Sequence, residues 1–304
     1  MEAQPSSLRE SLQDFLDALV RDGSLSASTL SAYRRDLERY LLFCESRQVR
    51  KAGDILAQTT AAHMQNLHEC GRSPATIARS LSAMRRFHDY LRTTGDCPRD
   101  PTVGLKPPRV TRPEPDPLTV DEARRLVSAG LDGDSLAMRD HAILEILYAA
   151  GLRVSELTAL RPPDLLLEHS LVRVHGRGAR ERVVPLGHAA IDAATRYARF
   201  GRASLLRASD PDTAPFFVSA QGRSLSRMSV WKIIRVAARS AGIDRAVSPQ
   251  TLRHTFAAHL LGGGFDLRDV QHLLGHADIS TTSIYTRADN ERLQALHRTY
   301  HPRA

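Results

Sequence analysis

Seven of the chain's 16 prolines fall between Pro98 and Pro117, within CPRDPTVGLKPPRVTRPEPDPLT, and no continuous helix survives such a run. The stretch reads as a semi-rigid linker, so any fold must be assembled from what lies on either side of it. That divides the 304 residues into a segment 1–97, a linker 98–117 and a segment 118–304. A chain of this length with 42% hydrophobic residues can build two cores, and with only 5% aromatics those cores are largely aliphatic.

The first segment carries helix-period apolar faces: Leu8, Leu12, Phe15 and Leu19; Leu30, Tyr33, Leu37 and Tyr40; Ile77, Leu81, Met84, Phe87 and Leu91. Ser26 and the pair Ser73-Pro74 have the chemistry of helix starts. About four helices follow from this spacing. Arginines gather on two of their polar faces, Arg34, Arg35 and Arg39 on one and Arg79, Arg85 and Arg86 on another. They suit either a solvated face or a contact with phosphates.

In the second segment Thr119 precedes acidic residues at a helix start, and SLAMRDHAILEILYAAG reads as a helix stopped by Gly151. SLVRVH and RERVVPL alternate as strands around a glycine-rich tip, GRGA. Helices return through SRMSVWKIIRVAARSAG, SPQTLRHTFAAHLLGGG, DLRDVQHLLG and DISTTSIYTR. The expected fold is therefore mainly α in two domains, the second mostly helical with a small β-sheet.

Net charge is +8 and the sequence pI about 9.8, which favours a polyanionic partner. Only Lys51, Lys106 and Lys232 are lysines, so arginine supplies 39 of the 42 cations. No apolar run approaches the roughly 18 residues of a membrane span, and MEAQPSSLRESLQDF lacks a signal-peptide pattern. Cys44, Cys70 and Cys97 are odd in number and widely spaced, as ordinary thiols of a reducing compartment are. A cytoplasmic protein that uses no membrane and no metal is expected.

Some residues stand out for chemistry. Arg153 follows the helix-ending Gly151 and precedes Ser155, a plausible cap for the next short helix, with Glu156 near enough to orient its guanidinium. In SPQTLRHTF, Ser248 and Pro249 open a helix whose second turn carries Arg253, close to amides that favour an anion. His276 follows Gly275, and Tyr285 lies nine residues further on among small hydroxyl residues.

Taken together, GLRVSEL, GRGARERVVPLG, LRHTFAAHLL, LLGHADISTTSIYT and ERLQALHRTYHPRA resemble the tyrosine recombinases of the phage integrase family, of the XerC/XerD type and nearer to XerD. With the N-terminal AYRRDL segment, the resemblance spans nearly the whole chain. It implies a helical SAM-like core-binding domain joined to a recombinase catalytic domain, the two forming a C-shaped clamp on duplex DNA. It also implies that Arg153 and Arg253 grip the scissile phosphate, that His276 bonds to it, and that Tyr285 forms a 3′-phosphotyrosyl link. Arginine's planar fork matches phosphate oxygens, and the covalent link keeps the diester's energy, so neither ATP nor another cofactor is required.

Two positions depart from the family's pattern. Arg177 stands at the hairpin tip where a lysine is usual, and it surrenders a proton far less readily. Gln250 stands where His-x-x-Arg is usual, and it donates a hydrogen bond but accepts no proton from Tyr285. His254 and His259 lie on other faces of that helix. The expected reading is a recombinase in which Arg177 and Gln250 have reduced roles, with activation by a partner as a related possibility. The alternatives are a recombinase-derived DNA-binding protein that no longer cleaves and an integrase of a mobile element. The resemblance further implies a double-stranded recombination site and a homo- or hetero-tetramer with a paralogous Xer recombinase. It adds an FtsK-type septal DNA translocase and a task in chromosome dimer resolution. The closing segment, with Leu293 and Leu296 at helical spacing, is suited to dock on a neighbouring protomer or on its own domain.

Overall fold

The computed structural model describes residues 7–110, 116–129, 133–176, 181–206, 214–275 and 287–303, with 287–293 described by backbone alone. The chain divides into two compact units, Met1–Pro113 and Glu114–Ala304.

The first unit holds α1 (Leu8–Asp22), α2 (Ala27–Ser46), α3 (Ala57–Glu69) and α4 (Pro74–Thr94). Ser7, Ser26 and Ser73 each accept a first-turn amide hydrogen bond, and Ser7 with Glu10 forms a reciprocal capping box. The three apolar faces read from the sequence meet: Leu12, Phe15, Leu37, Tyr40, Met84, Phe87 and Leu91 share one buried core. Asp36 is 1% exposed and takes Arg79 through two bonds, 2.7 and 3.2 Å, with Arg39 at 3.4 Å. Two of the six arginines on the polar faces are thus committed to a buried carboxylate. Arg85 donates to the Leu105 carbonyl at 2.5 Å and Thr60 to that of Pro101 at 2.7 Å. The first part of the proline-rich stretch is therefore fastened to this unit. His63 and His88 are fully buried; His88 meets the Tyr40 hydroxyl at 3.0 Å, while neither ring nitrogen of His63 has a hydrogen-bond partner among the described residues.

In the second unit come α5 (Val120–Ser128), α6 (Ser135–Ala150), α7 (Val154–Ala159), β1 (Leu165–Leu166), β2 (Leu171–His175) and β3 (Glu181–Pro185). They are followed by α8 (His188–Arg196), a π turn over Tyr197–Gly201 and α9 (Arg202–Leu206). The unit closes with α10 (Arg227–Ser240), α11 (Pro249–Gly263), α12 (Leu267–Leu274) and α13 (Arg287–Tyr300). Every residue from Ala142 to Ala150 is buried, which makes α6 the central helix, surrounded by α5, α8 and α11. The sheet is antiparallel in the order β1-β2-β3, and His175 opposite Glu181 closes its longer hairpin.

The helical stretch from α8 to α9 is not among the segments read from the sequence, although Ala190, Ala193, Ala194 and Tyr197 mark its buried face. Ser155 is not the cap of α7. Arg153 occupies that place, because the Glu156 carboxylate accepts the Arg153 amide at 2.7 Å, leaving Ser155 within the first turn. Leu296 and Tyr300 of α13 pack against the core of their own unit. His297 meets the Ala149 carbonyl at 3.1 Å, and Arg303 reaches the fully buried Glu145, its Nε at 3.0 Å from the carboxylate.

Candidate active site

Arg153 and Arg253 come from different helices and converge on the end of a third. Gly151 ends α6 at φ 56°, a left-handed conformation that favours glycine, and a Cβ there would lie 2.4 Å from the Phe256 ring. The chain then turns through buried Leu152 into Arg153, whose side chain is 44% exposed. Its Nη1 donates to Glu156 Oε1 at 2.9 Å and its Nη2 to the Gly275 carbonyl at 3.2 Å.

Arg253 projects from the second turn of α11. Ser248 and Thr251 cap that helix reciprocally at 3.1 Å, with Pro249 in the first helical position. Arg253 Nη1 donates to the Gly151 carbonyl at 2.6 Å and Nη2 to the Leu274 carbonyl at 2.5 Å. The unfavourable field of its own helix start is offset by the carbonyl ends of α6 and α12, where cations are favoured. Burial, then the neighbouring charge of Arg153, lowers the Arg253 pKa to about 10, with Glu156 offsetting part of the shift and Arg182 adding to it. It stays charged at neutral pH but is short of counter-charge, and a bound anion would relieve that deficit.

Glu156 lies beneath both arginines, its side chain 5% exposed. Burial pushes its carboxyl up, but hydrogen bonds and charge from Arg182, and then bonds from Arg153, outweigh burial and hold the carboxyl at about 2. Arg182 went unnoticed in the sequence because RERVVPL reads simply as a strand. In the fold its Nη1 and Nη2 donate to the two Glu156 oxygens at 2.8 Å each, and its Nε to the Leu273 carbonyl at 2.7 Å. Arg153 and Arg182 thus share one carboxylate whose charge Arg253 also feels, so that among the described residues these three guanidiniums carry an excess of positive charge.

Gln250 is exposed on the first turn of α11, without a hydrogen-bond partner among the described residues. His259 is held structurally, its ring between the Tyr148 hydroxyl at 2.8 Å and the Leu118 carbonyl at 2.9 Å. His254 is half-buried on the same helix. Arg177, His276 and Tyr285 lie outside the described residues. Their flanks are described: the hairpin up to Gly176 and from Glu181, and the chain up to Gly275 and from Arg287. No cluster of three metal-ligating side chains occurs among the described residues, nor any helix long and apolar enough to cross a membrane.

A mainly helical unit with a small antiparallel sheet and two converging arginines defines a class that comparison identifies directly. Residues 117–292 match the phage integrase family, and residues 12–95 match the N-terminal SAM-like domain of phage integrases. The chain belongs to the phage integrase family of tyrosine recombinases, enzymes of site-specific DNA recombination. It is 39% identical over 299 residues to the tyrosine recombinase XerD of Halalkalibacterium halodurans, covering 98% of this chain and 99% of the relative. It is 41% identical over 297 residues to the tyrosine recombinase XerC of Pseudomonas fluorescens, covering 98% of each. The crystal structure of XerH bound to its difH substrate superposes with a TM-score of 0.70 at 20% identity, over 95% of this chain and 94% of that one. That likeness establishes a common fold.

Proposed function

We propose that the chain cuts and rejoins duplex DNA through a covalent bond between Tyr285 and a 3′-phosphate. The observation that carries this reading is the pair Arg153 and Arg253, held side by side on the end of α12 in a cluster with excess positive charge. A phosphodiester repels an attacking oxygen, and its transition state spreads negative charge over the non-bridging oxygens. Two preorganised guanidiniums offset both effects. The Tyr285 oxygen loses its proton and attacks phosphorus; the bond to the 5′-oxygen breaks, and that oxygen leaves as a hydroxyl after gaining a proton. Attack by a 5′-hydroxyl on the phosphotyrosine reverses the step without ATP. His276 is assigned a hydrogen bond to the same phosphate. Arg177 and Gln250 would donate hydrogen bonds there, and neither is suited to carry the proton.

Relatives named both XerC and XerD support work beside a paralogous recombinase, and the proposed assembly is a tetramer on two recombination sites. The proposed task is resolution of chromosome dimers in the cytoplasm, with an FtsK-type septal translocase as the activating partner. A second reading, a DNA-binding protein that has lost cleavage, draws on the exposed Gln250 in place of the usual histidine.

Incubation with a nicked suicide duplex, followed by denaturing electrophoresis, tests the enzyme reading. A covalent protein–DNA band that is absent in Tyr285→Phe is expected. Duplex binding with no band, even with the paralogue present, would favour the second reading instead.

A further inference from the structure

We propose that Arg182 is a positioning residue for DNA cleavage: it fixes Glu156 and the end of α12 together, and so sets where Arg153 and Arg253 meet the phosphate. The inference rests on the reading that those two arginines hold the scissile phosphate. Arg182 lies on β3 with Val184 on the same buried face, and it is 8% exposed. A guanidinium removed from water on an apolar strand face is tolerated only with its charge and donors satisfied. Here each terminal nitrogen takes one Glu156 oxygen at 2.8 Å, the two-point geometry in which arginine and carboxylate are most directional.

The same carboxylate orients Arg153 through a side-chain bond of 2.9 Å and an amide bond of 2.7 Å. Above it, the last carbonyls of α12 are divided among the three arginines. Leu273 accepts from Arg182 at 2.7 Å, Leu274 from Arg253 at 2.5 Å and Gly275 from Arg153 at 3.2 Å. Gly275 has φ 65°, and a Cβ there would stand 3.1 Å from Arg182 Nη1 and 3.3 Å from its Cδ. The chain therefore leaves α12 directly against the Arg182 guanidinium, in a conformation that favours glycine. Without Arg182, Glu156 keeps hydrogen bonds only from Arg153 among the described residues and is free to turn towards it, drawing Arg153 away from the Gly275 carbonyl. A lysine at 182 supplies charge at one point and cannot span both carboxylate oxygens and a carbonyl.

The test is single-turnover formation of the covalent complex, on a nicked duplex whose site the wild-type chain has selected from a random pool. Duplex affinity is measured separately. Arg182→Lys and Arg182→Gln are expected to slow the step by about tenfold or more at saturating duplex, with affinity little changed. In Arg182→Gln, Glu156 loses the charge and bonds that oppose its burial, so its pKa rises. The rate should then fall as pH drops from about 7 to about 5, more steeply than in the wild type, and this extra fall should vanish in Arg182→Gln with Glu156→Gln. Cleavage near the wild-type rate in both single variants would overturn the inference. A slow step without the extra acid fall, or one lost in proportion to affinity, would overturn it in favour of plain packing. Should Arg182→Gln fail to fold, the Arg182→Lys rate and affinity decide. If Arg153→Ala still cleaves normally, the reading beneath the inference is what fails.

Discussion

Arg253 and Gln250 stand three residues apart on α11 and are held in opposite ways. One is fixed by two carbonyls, the other is exposed and has no hydrogen-bond partner among the described residues. Arg253→Lys cannot reach the Gly151 and Leu274 carbonyls at once and still face a phosphate. Its covalent-complex rate is expected to drop by about a hundredfold or more, measured on the suicide duplex. Gln250→His should alter unfolding free energy by no more than about 0.5 kcal/mol, as surface changes do. If it restores the family's usual role it should leave cleavage unchanged or raise it, as should Arg177→Lys. A loss of cleavage in both would show a site rebuilt around glutamine and arginine. At this scale Arg153 and Arg253 were legible as motif residues, and Glu156 as a neighbour three positions away. Arg182 was not, because its partners stand 26 and 91 positions away, and a strand's alternation does not reveal a contact across the fold.

Among the elements, the corner from α6 to α7 is the tightest that bears on the site. Gly151→Ala must fit a methyl against the Phe256 ring while keeping a left-handed backbone. A loss of about 2–4 kcal/mol is expected in denaturant unfolding, combining backbone strain with overpacking. The hairpin of β2 and β3 has a titrating base: His175 bonds Asp164 at 2.8 Å and Glu181 at 2.9 Å. The hydrogen bond to Asp164, then the charges of both carboxylates, raises its pKa against a smaller effect of burial. Its stabilisation is complete below the ordinary histidine range and is lost as pH rises through the raised value. Amide exchange in β2 and β3, corrected for intrinsic rate, should therefore lose protection from about pH 6 upward, and His175→Gln should abolish that dependence. The two hairpin strands and most helices were legible from periodicity and caps. The stretch from α8 to α9 was missed because short alanines mark its buried face, and the two-residue β1 is too short to show a period.

For the whole molecule, acid is the expected weakness. His63, His88 and His297 have their pKa lowered to about 4, and His301 to about 3, in each case chiefly by burial. Between these values and the ordinary range near 6.5 the unfolded chain binds protons that the folded chain refuses, so stability falls as pH falls. Each such group contributes a slope of about 1.4 kcal/mol per pH unit. Thermal melting should drop from about pH 6.5 to about pH 4, with both units affected, since each holds two of these histidines. The net charge of +8 leads to a second expectation: duplex affinity should fall steeply with salt on a log–log plot. A slope near zero would remove phosphate contact as the source of binding. The proline-rich run announced two units, but the bonds from Thr60 and Arg85 that fasten its first part were not visible. They join residues 41 and 20 positions apart, beyond the reach of local pattern.

The exposure of Gln250 has a genetic corollary. A glutamine codon becomes a histidine codon by one change at its third base, and at an exposed first-turn position the exchange is expected to cost the fold little. On the proposed reading, in which this position faces the phosphate, selection on it would act through DNA chemistry, and a lineage could cross between the two residues in a single mutational step.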